Sequence, residues 1–490
     1  MDTAQQEPGS RVSARLPDGL VAVVKRACPT CELIAPVLGE IEASGAPLTV
    51  LSQDDPAFPA TVTGVVDDSE LERSYGLGIE IVPTVIRVVN GAELERIIGW
   101  NRPEWRAFSG LETLGAELPE NRPGCGALNV EPGIAEELAV RFGSNSLAAR
   151  RIVLAPSDDD AEVCFDRGWT DGLPVVSPTE ARVMKMLGGT RRAPDAVVGV
   201  IAPDYAPCTV EKAAINAVMA GCKPEYMPVV LAAVEAACVD AYCLGGVVAT
   251  TDFPGPVVVV NGPVAKRIGM NAGRNALGQG NRANAAIGRA LQLIVRNVGG
   301  GRPGGVDQAC LGNPGKFTLC FAEDEENSAW EPLSVERGFA PGASTVTLFA
   351  GCGVQPVYDN HSRKPESLAR TYAACLRGVL HPKLARADAM MVIAPEHGRA
   401  FENAGWSKAE LSRRLGELLS IPIAEMGPGY GGMEEGVPPD VAGDTVAKFR
   451  PGGLLLVRAG GTAGFFAGII AGWSASGPSG SAPVTVEITQ

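Results

Sequence analysis

The sequence predicts an α/β protein with a small N-terminal domain and a larger, mostly parallel α/β body. Near the N-terminus, the pair Cys28 and Cys31 stands between an apolar run typical of a strand and an amphipathic helical pattern. In the rest of the chain, apolar runs bounded by Gly or Pro alternate with helical patterns. Such alternation is typical of sheets whose strands are covered on both faces by helices.

Composition and charge narrow the classes of function. The chain has 490 residues, more than one domain at roughly 100–200 residues each. Its net charge of -14 argues against nucleic acid or an anionic membrane as partner, because both select basic surfaces. Twelve scattered cysteines do not resemble a disulfide framework. With no apolar signal segment at the N-terminus, these features predict a cytoplasmic protein.

The distribution of Pro- and Gly-rich stretches along the chain predicts its domain organisation. We expect a disordered stretch at 1–15, a first domain at 16–112, a linker rich in Pro and Gly at 113–160, and the body at 161–490. A division of the body into two lobes near 305–345 is left open. The apolar run at 452–473 is interrupted by Arg458 and diluted by glycine. It therefore predicts a strand, a glycine turn and a helix rather than a membrane span.

The first domain has the pattern of a small mixed α/β fold. Asn90-Gly91 predicts a tight hairpin turn. The predicted strands are 20–25, 47–53, 85–89 and 93–98, and the predicted helices are 32–43, 68–75 and 102–111.

We predict that Cys28 is the reactive thiol of this domain. A cysteine directly before a helix meets free backbone N–H groups and the positive end of the helix dipole, which both stabilise a thiolate. The thiolate is the species that attacks disulfides. Cys31 lies one turn further on and can resolve the resulting mixed disulfide. The hypothesis requires the sulfur of Cys28 to be reachable from solvent.

These residues resemble the thioredoxin family over nearly the whole domain. The stretch from Cys28 to Pro36 resembles the family's active-site helix, and Val82-Pro83-Thr84 resembles its cis-proline loop. The resemblance implies a thioredoxin fold, a redox-active disulfide between Cys28 and Cys31, and a cis peptide at Pro83 where the family receives its partner's backbone. It also implies a thiol reductase or a thiol-containing protein as partner.

The chain departs from that family at three positions. The tryptophan that usually precedes the first cysteine is Ala27, the strand carboxylate behind the dithiol is Ala22, and its lysine partner is Ser52. The proton acceptor for the buried thiol is therefore open. Two other interpretations of the cysteine pair also remain, namely a metal knuckle, which usually needs a second CxxC or CxxH, and an inert fold kept for docking.

The body is predicted from apolar runs and helix-start signals. Capping boxes at Ser177 and Ser407 mark two helix starts. The predicted strands are 196–201, 247–251, 256–261, 317–322, 345–350, 389–394 and 454–457, and the predicted helices are 177–187, 210–221, 228–238, 282–298, 367–379 and 407–419.

Two glycine-rich stretches in the body are candidate ligand loops. Glycines before a helix allow backbone N–H groups to converge on an anion, and strand ends are where α/β sheets place ligands. Neither stretch has the spacing of a P-loop or a dinucleotide fingerprint. Close packing of backbones is the alternative. The candidate cofactor-binding residues are Arg274, Gly278, Gly280, Gly460, Gly461 and Thr462.

Candidate catalytic groups in the body follow predicted strands or begin helices. A Cys–His nucleophile pair or a metal site could be assembled from them, although no helical HxxxH spacing supports a metal. Each histidine alone is more often a hydrogen-bonded structural residue. The catalytic candidates are Cys352, Cys208, His397 and His361, and the weaker metal candidates are Glu396, His397, Asp359 and His361.

The leading hypothesis is a fused redox enzyme. The N-terminal dithiol would pass electrons to Cys352 or Cys208 in a body that acts on a small anionic or sulfur-containing substrate. The alternative is a metal- or acid/base-dependent lyase or hydrolase with an accessory redox fold, and a third hypothesis is a redox-switched scaffold. Beyond the disulfide no cofactor is required, a metal is left open, and we expect a homo-oligomer without nucleic-acid or membrane partners.

Overall fold

The computed structural model describes residues 16–143, 147–431, 434–477 and 480–489. The stretch 1–15, predicted to be disordered, lies outside these residues. The chain divides into two compact units. The first contains the residues up to 147 together with 180–184, and the second contains 148–179 and 185–490.

The first unit is built on a five-stranded sheet with helices. Its strands are β1 (Gly19–Val24), β2 (Leu48–Ser52), β3 (Val65–Asp67), β4 (Ile81–Val82), β5 (Thr84–Val89), β6 (Ala92–Ile98), β7 (Trp100–Asn101), β8 (Asn121–Arg122) and β9 (Cys125–Gly126). Its helices are α1 (Pro29–Ala43), α2 (Glu72–Gly76), α3 (Arg102–Ser109) and α4 (Ile134–Phe142).

The strand order of this sheet is β3-β2-β1-β5-β6. β1, β2 and β3 run parallel, whereas β5 pairs antiparallel with both β1 and β6. The four predicted strands and the helices α1 and α3 are confirmed to within a few residues, while β3 was not predicted. β3 is only three residues long, too short for its pattern to stand out from a loop.

The core of the first unit lies under α1. Ile34, Val37, Leu38 and Ile41 recur at helical spacing and are all buried. They belong to the same apolar cluster as the residues of β1, which are buried throughout except for Gly19 at the edge. This packing fixes the N-terminus of α1, where Cys28 lies, against the end of β1.

The predicted linker at 113–160 is wrong in its first part. Leu114 and Ala127 are buried in the same core as α1. The indole of Trp100 donates to the carbonyl oxygen of Pro119 at 2.6 Å. Asn129 is buried and donates to the carbonyl oxygen of Ile79 at 2.6 Å. The Pro and Gly residues that indicated a linker are turns of a segment packed on the domain, which extends to about 147 rather than 112.

The second unit contains a larger sheet and most of the helices. Its strands are β10 (Val197–Ile201), β11 (Ala206–Thr209), β12 (Gly255–Asn261), β13 (Cys320–Ala322), β14 (Thr345–Tyr358), β15 (Ala387–Ile393), β16 (Ser420–Pro422), β17 (Thr445–Ala447), β18 (Phe449–Arg458), β19 (Phe466–Gly472) and β20 (Val484–Glu487). Its helices are α5 (Asp160–Asp166), part of α6 (Glu180–Leu187), α7 (Val210–Met219), α8 (Met227–Ala237), α9 (Leu244–Ala249), α10 (Pro263–Arg267), α11 (Arg282–Asn297), α12 (Leu333–Glu336), α13 (Pro365–Arg377), α14 (Pro395–Glu402) and α15 (Lys408–Leu418).

The mixed α/β class holds, but the prediction of a mostly parallel body is wrong. The main sheet has the order β13-β12-β14-β19-β15-β18, with β20 paired to β14. Only β12 with β13 and β15 with β18 are parallel, and the other four pairings are antiparallel. A continuous apolar run reports burial of both faces of a strand, and it carries no information on the direction of the neighbouring strand.

Alternate residues of β15 show why its sequence is apolar throughout. Ala389, Met391 and Ile393 lie in one apolar cluster, and Met390 and Val392 lie in another. Successive side chains of a strand point to opposite faces. Both faces of the sheet are therefore buried at this strand.

Three further predictions for the body differ from the structure. The predicted strand at 247–251 lies largely in the helix α9, because a short apolar run does not distinguish a strand from a buried helix. The helix predicted after Arg458 is the strand β19. The open division near 305–345 is not present, since β12, β13 and β14 belong to one sheet.

Among the described residues, no single helix has the length and apolar character to span a membrane. One pair of helical segments, Pro224–Ala237 and Asp240–Ala249, passes that test together but is bent by 74°.

Candidate functional site

The loop between β1 and α1 holds Cys28 at the start of the helix. The carboxylate of Asp54 accepts the backbone N–H groups of Arg26 and Ala27 at 2.6 and 2.9 Å. The N–H of Cys28 donates to the carbonyl oxygen of Lys25 at 3.2 Å. Cys28 is the N-cap of α1, with extended backbone angles typical of that position. Its sulfur therefore lies where helical N–H groups have no carbonyl partner.

The two sulfurs of the pair differ sharply in acidity. Hydrogen bonding with the Cys31 thiol, followed by that with Cys125 and the N–H groups at the start of α1, lowers the pKa of Cys28 to about 5 against the opposing effect of burial. The N–H of Cys31 lies 3.4 Å from the sulfur of Cys28. Burial first, and then the hydrogen bond to Cys28, raises the pKa of Cys31. At neutral pH the arrangement is a thiolate next to a thiol.

Pro83 lies beside this pair. The Val82–Pro83 peptide is cis, and the carbonyl oxygen of Val82 is 3.6 Å from the sulfur of Cys28. The carbonyl oxygen of Pro83 accepts the N–H of Gly99 at 2.8 Å. The structure thus brings together all three residues that the sequence predicted for this site.

A third cysteine completes the site, and the sequence analysis missed it. The sulfur of Cys125 lies 2.8 Å from the sulfur of Cys28. β9, which contains Cys125, pairs antiparallel with β4, and Cys125 lies directly opposite Val82. Its Pro-Gly-Cys-Gly context resembles a turn, and no local pattern connects it with a helix start distant in sequence.

The burial of Cys28 contradicts the requirement, stated from the sequence, that its sulfur be reachable from solvent. Cys28 was expected to be reachable, but its exposed fraction is 0%. Cys125 itself is partly exposed. The reason for the burial of Cys28 is that residues 121–126 pair with β7 and β4 and lie against the cysteine.

Behind the dithiol lie the two positions at which the sequence departs from the thioredoxin pattern of a carboxylate and its lysine partner. Ala22 and Ser52 are both completely buried. The hydroxyl oxygen of Ser52 has no hydrogen-bond partner among the described residues. Next to it, the buried amide of Gln53 donates to Asn129 and to Ser74, each at 2.9 Å. Deprotonation of Cys31 therefore requires another base.

The two cysteines proposed in the body lie in the opposite environment. Cys208 is completely buried, and burial raises its pKa to about 12. The sulfur of Cys352 is 3.8 Å from the carboxylate of Asp252 and 3.8 Å from the carbonyl oxygen of Gly472. Burial, and then the Asp252 carboxylate, raises the pKa of Cys352 to about 12. Neither thiol is activated as a nucleophile, contrary to the prediction.

The structure brings together only some of the candidates Asp359, His361, Glu396 and His397. The side chains that do meet make structural contacts. His397 is buried, with one ring nitrogen 3.0 Å from the hydroxyl of Tyr372 and the other 3.0 Å from the carbonyl oxygen of Asp359. Burial lowers the pKa of His397. The carboxylate of Asp359 accepts the N–H of His361 at 2.9 Å, whereas the His361 side chain is exposed. The predicted role of His397 as an accessible acid or base is not supported.

Glu396 and Asp359 hold loops in place. Glu396 accepts the N–H of Gly464 at 2.6 Å. Asp359 accepts the hydroxyl of Thr371 at 2.6 Å and the N–H of Ser362 at 2.8 Å. These bonds lower the pKa of Asp359 against the opposing effect of its burial. In the part of the chain that the structure describes, no group of three or more His, Cys, Asp or Glu residues could hold a metal ion.

The two glycine-rich stretches meet each other. The N–H of Gly460 donates to the carbonyl oxygen of Ala272 at 2.8 Å. A Cβ atom on Gly461 would lie 3.5 Å from the Cα atom of Arg274. The carbonyl oxygen of Thr462 accepts from Arg399 at 3.1 Å. These contacts favour the alternative interpretation of close backbone packing.

The stretch before α11 has its own internal contacts. Gly278 donates to the carbonyl oxygen of Asn275 at 2.9 Å in a turn. Gly280 has a φ of +110° that disfavours other residues. Asn281 caps α11 by accepting the N–H of Asn284 at 3.0 Å. The helix start predicted to receive an anion is thus already capped by a side chain.

A groove of about 470 Å³ lies elsewhere in the second unit. It combines an apolar wall with the charged residues Glu336, Arg337 and Arg450. None of the residues predicted as catalytic or cofactor-binding lines it.

Comparisons of the chain with known protein families, with curated proteins and with solved structures found no match.

Proposed function

We propose that the first unit is a thioredoxin-like thiol–disulfide oxidoreductase. Its nucleophile is Cys28, and its resolving residue is Cys31. The observation that carries the proposal is the position of Cys28 as the N-cap of α1, with the N–H of Cys31 at 3.4 Å from its sulfur. Backbone N–H groups at a helix start stabilise a thiolate.

The arrangement of strands supports the same proposal. Three parallel strands followed by an antiparallel hairpin, with α1 packed on β1, match the element order that the resemblance to thioredoxins implies. Pro83 lies next to the nucleophile, as in that family. The substrate class is therefore a disulfide of a polypeptide or of a small thiol.

The reaction consists of two exchanges at Cys28. Cys28 is completely buried beside residues 121–126, so these residues must first detach from it. The Cys28 thiolate then attacks one sulfur of the substrate disulfide, so that a mixed disulfide forms and the other substrate sulfur leaves as a thiolate. Cys31 then attacks the sulfur of Cys28, and its proton passes to the departing substrate sulfur. The dithiol is oxidised to a disulfide, and two electrons reduce the substrate.

The proposal does not assign an electron acceptor within the second unit. Burial raises the pKa of Cys208 to about 12, and burial followed by the Asp252 carboxylate raises the pKa of Cys352 to about 12. Electron transfer from Cys28 to either residue, which the sequence predicted, has no support from their surroundings. We propose instead that the acceptor is a separate disulfide-containing molecule.

Reduction of the disulfides of insulin by the full chain, with dithiothreitol as electron source, tests the proposal. The variant Cys28→Ser is expected to reduce insulin only at the rate of dithiothreitol alone. With both other thiols of the site removed, the variant Cys31→Ser/Cys125→Ser is expected to accumulate a mixed disulfide at Cys28. The matched control is Cys310→Ser, which changes an exposed cysteine of the second unit. Full activity of Cys28→Ser would exclude the proposed function.

A further inference from the structure

Residues 121–126 are attached to the candidate site at both ends. β8 pairs with β7 through Trp100 and Arg122, and β9 pairs with β4 through Val82 and Cys125. Between them, the hydroxyl of Thr30 donates to the carbonyl oxygen of Pro123 at 2.7 Å. The segment therefore lies along the site in a defined register.

Gly124 allows the segment to approach closely. A Cβ atom at this position would lie 2.7 Å from the carbonyl oxygen of Val82 and 2.4 Å from a methyl carbon of Ile81. Real Cβ atoms do not come so near to backbone atoms, so another residue would push the segment away. Gly126 differs, because a Cβ atom there would meet nothing within 4 Å.

The segment also brings the sulfurs of Cys125 and Cys28 into contact. At 2.8 Å they are farther apart than the ~2.05 Å of a disulfide bond, and both cysteines are free thiols. Cys125 is partly exposed whereas Cys28 is not. Burial, and then the hydrogen bond with Cys28, raises the pKa of Cys125 against the smaller opposing effect of the Lys25 charge.

We propose that Cys125 is a third redox-active cysteine, which forms a disulfide with Cys28 while residues 121–126 occupy the position of a polypeptide substrate. The proposal rests on the proposed function of Cys28 and Cys31. It explains why the nucleophile of a thiol–disulfide enzyme is covered. The covering residue is itself a thiol opposite Val82.

The oxidant for this disulfide is a low-molecular-weight disulfide, RSSR. While residues 121–126 are detached, the Cys28 thiolate attacks one of its sulfurs, which breaks the S–S bond, releases RS⁻ and leaves a Cys28–SR mixed disulfide. The sulfur of Cys125 then attacks the sulfur of Cys28, and the proton of Cys125 passes to the departing RS⁻. The products are the Cys28–Cys125 disulfide, RS⁻ and RSH, so two electrons have passed to RSSR.

Cys31 and Cys125 compete for the same sulfur. Attack of Cys31 on the Cys28–Cys125 disulfide forms the Cys28–Cys31 disulfide and releases Cys125 as a thiol. Because all three residues belong to one unit, each exchange is intramolecular and proceeds at a high effective concentration. Cys125 thus returns to the thiol form without any external thiol.

The test is disulfide mapping of the full chain after brief oxidation with oxidised glutathione, acid quenching, alkylation and peptide mass spectrometry. Removal of the competing thiol in Cys31→Ser is expected to trap Cys28 and Cys125 in one linked peptide pair. In the unsubstituted chain the same pair is expected early, followed by the Cys28–Cys31 pair. Cys125→Ser is expected to form only the latter.

Three outcomes separate this inference from the proposed function. A Cys28–Cys125 pair in Cys31→Ser, preceded by the same pair in the unsubstituted chain, supports both. A glutathione adduct on Cys28 with Cys125 left free in Cys31→Ser, together with a Cys28–Cys31 disulfide in the unsubstituted chain, overturns the inference alone. If Cys28 remains a thiol in every variant, both the inference and the proposed function are wrong.

Two glycine variants test the placement of the segment without changing a cysteine. In a background of Cys31→Ser, Gly124→Ala is expected to form the Cys28–Cys125 disulfide about tenfold more slowly, because the added methyl group displaces the segment and lowers the effective concentration of the two sulfurs. Gly126→Ala is the matched control and is expected to react at the original rate. Equal rates for the two variants would contradict the proposed placement.

Discussion

Cys28 in the first unit precedes the helix α1, whereas Cys352 in the second unit lies within the strand β14, and their sulfurs meet different partners. The sulfur of Cys28 accepts from the N–H of Cys31 at 3.4 Å and also lies 3.6 Å from the carbonyl oxygen of Val82. The hydrogen-bond partners described for the sulfur of Cys352 are acceptors, namely the carboxylate of Asp252 and the carbonyl oxygen of Gly472. Hydrogen-bond donors stabilise a thiolate, and acceptors stabilise a thiol. The hydrogen-bond donors around a sulfur therefore set its acidity.

The largest expected difference between the two cysteines is in the pH dependence of their alkylation. With pKa values of about 5 for Cys28 and about 12 for Cys352, their thiolate fractions at pH 7 differ by about 10⁵-fold. Each rate is measured with iodoacetamide on the reduced full chain and is followed by peptide mass spectrometry. Cys28 is expected to gain reactivity as the pH rises through about 5 and to be constant above pH 7.

Cys352 provides the internal comparison in the same samples. Its rate is expected to rise in proportion to hydroxide up to pH 9 without reaching a plateau, because it remains a thiol throughout that range. Scaling each profile to its own value at pH 9 removes the effect of burial on the absolute rate. If the Cys28 profile still climbed between pH 8 and pH 9, the stabilisation of its thiolate by the helix start would be refuted.

The same contrast shows what the sequence could predict. Cys28, the start of α1 and the hairpin at Asn90 are encoded by residues adjacent in sequence, and all three were predicted. Cys125 reaches Cys28 through the pairings of β9 with β4 and of β8 with β7. These pairings depend on tertiary packing, for which a two-residue strand has no periodic pattern. The site was therefore predicted except for the residue that covers it.

The second unit shows a related limit. The positions of β12 and β15 followed from apolar runs, but the antiparallel direction of the strands beside them did not. Residues at strand ends were expected to converge, and the structure does bring His397 next to the backbone of Asp359. The sequence could not show that hydrogen bonds within the unit already occupy both ring nitrogens of the histidine. The sequence could therefore predict that His397 lies near Asp359, but not that its ring nitrogens are already hydrogen-bonded.

A substitution at His397 is expected to give the next largest effect. The buried ring contributes packing and two hydrogen bonds, so His397→Ala should lower the free energy of unfolding by about 2–4 kcal/mol. Urea unfolding of the full chain measures the change. The control is His361→Ala, which removes an exposed side chain and should cost less than about 0.5 kcal/mol.

The histidine variant also tests the comparison between the units. If His397 is structural, His397→Ala leaves the pH profile of Cys28 alkylation unchanged, since that profile depends on groups around α1. Equal stability of the two histidine variants would show that the contacts of His397 contribute little. The residue would then be available for another role, as the sequence analysis first supposed.

The smallest expected effect is on the alkylation rate of Cys28 when one hydrogen bond that holds residues 121–126 beside it is removed. Thr30→Val preserves the shape of the side chain but removes its hydrogen bond to the carbonyl oxygen of Pro123. The loss of one such bond costs about 1 kcal/mol, equivalent to about a fivefold change in an equilibrium constant. Residues 121–126 should therefore detach more often, and the alkylation rate of Cys28 at pH 7 should rise about fivefold.

The matched control for this last variant is Thr61→Val. Thr61 also donates a hydrogen bond from its hydroxyl to a backbone carbonyl oxygen, that of Ala35 in α1, and no hydrogen bond between described residues joins it to residues 121–126. Its variant loses the same kind of bond and should leave the alkylation of Cys28 unchanged. A rise confined to Thr30→Val would show that detachment of the segment limits access to Cys28. Equal rates in both variants and in the unsubstituted chain would mean that reagents reach the sulfur by another route, and the segment would then not be the barrier.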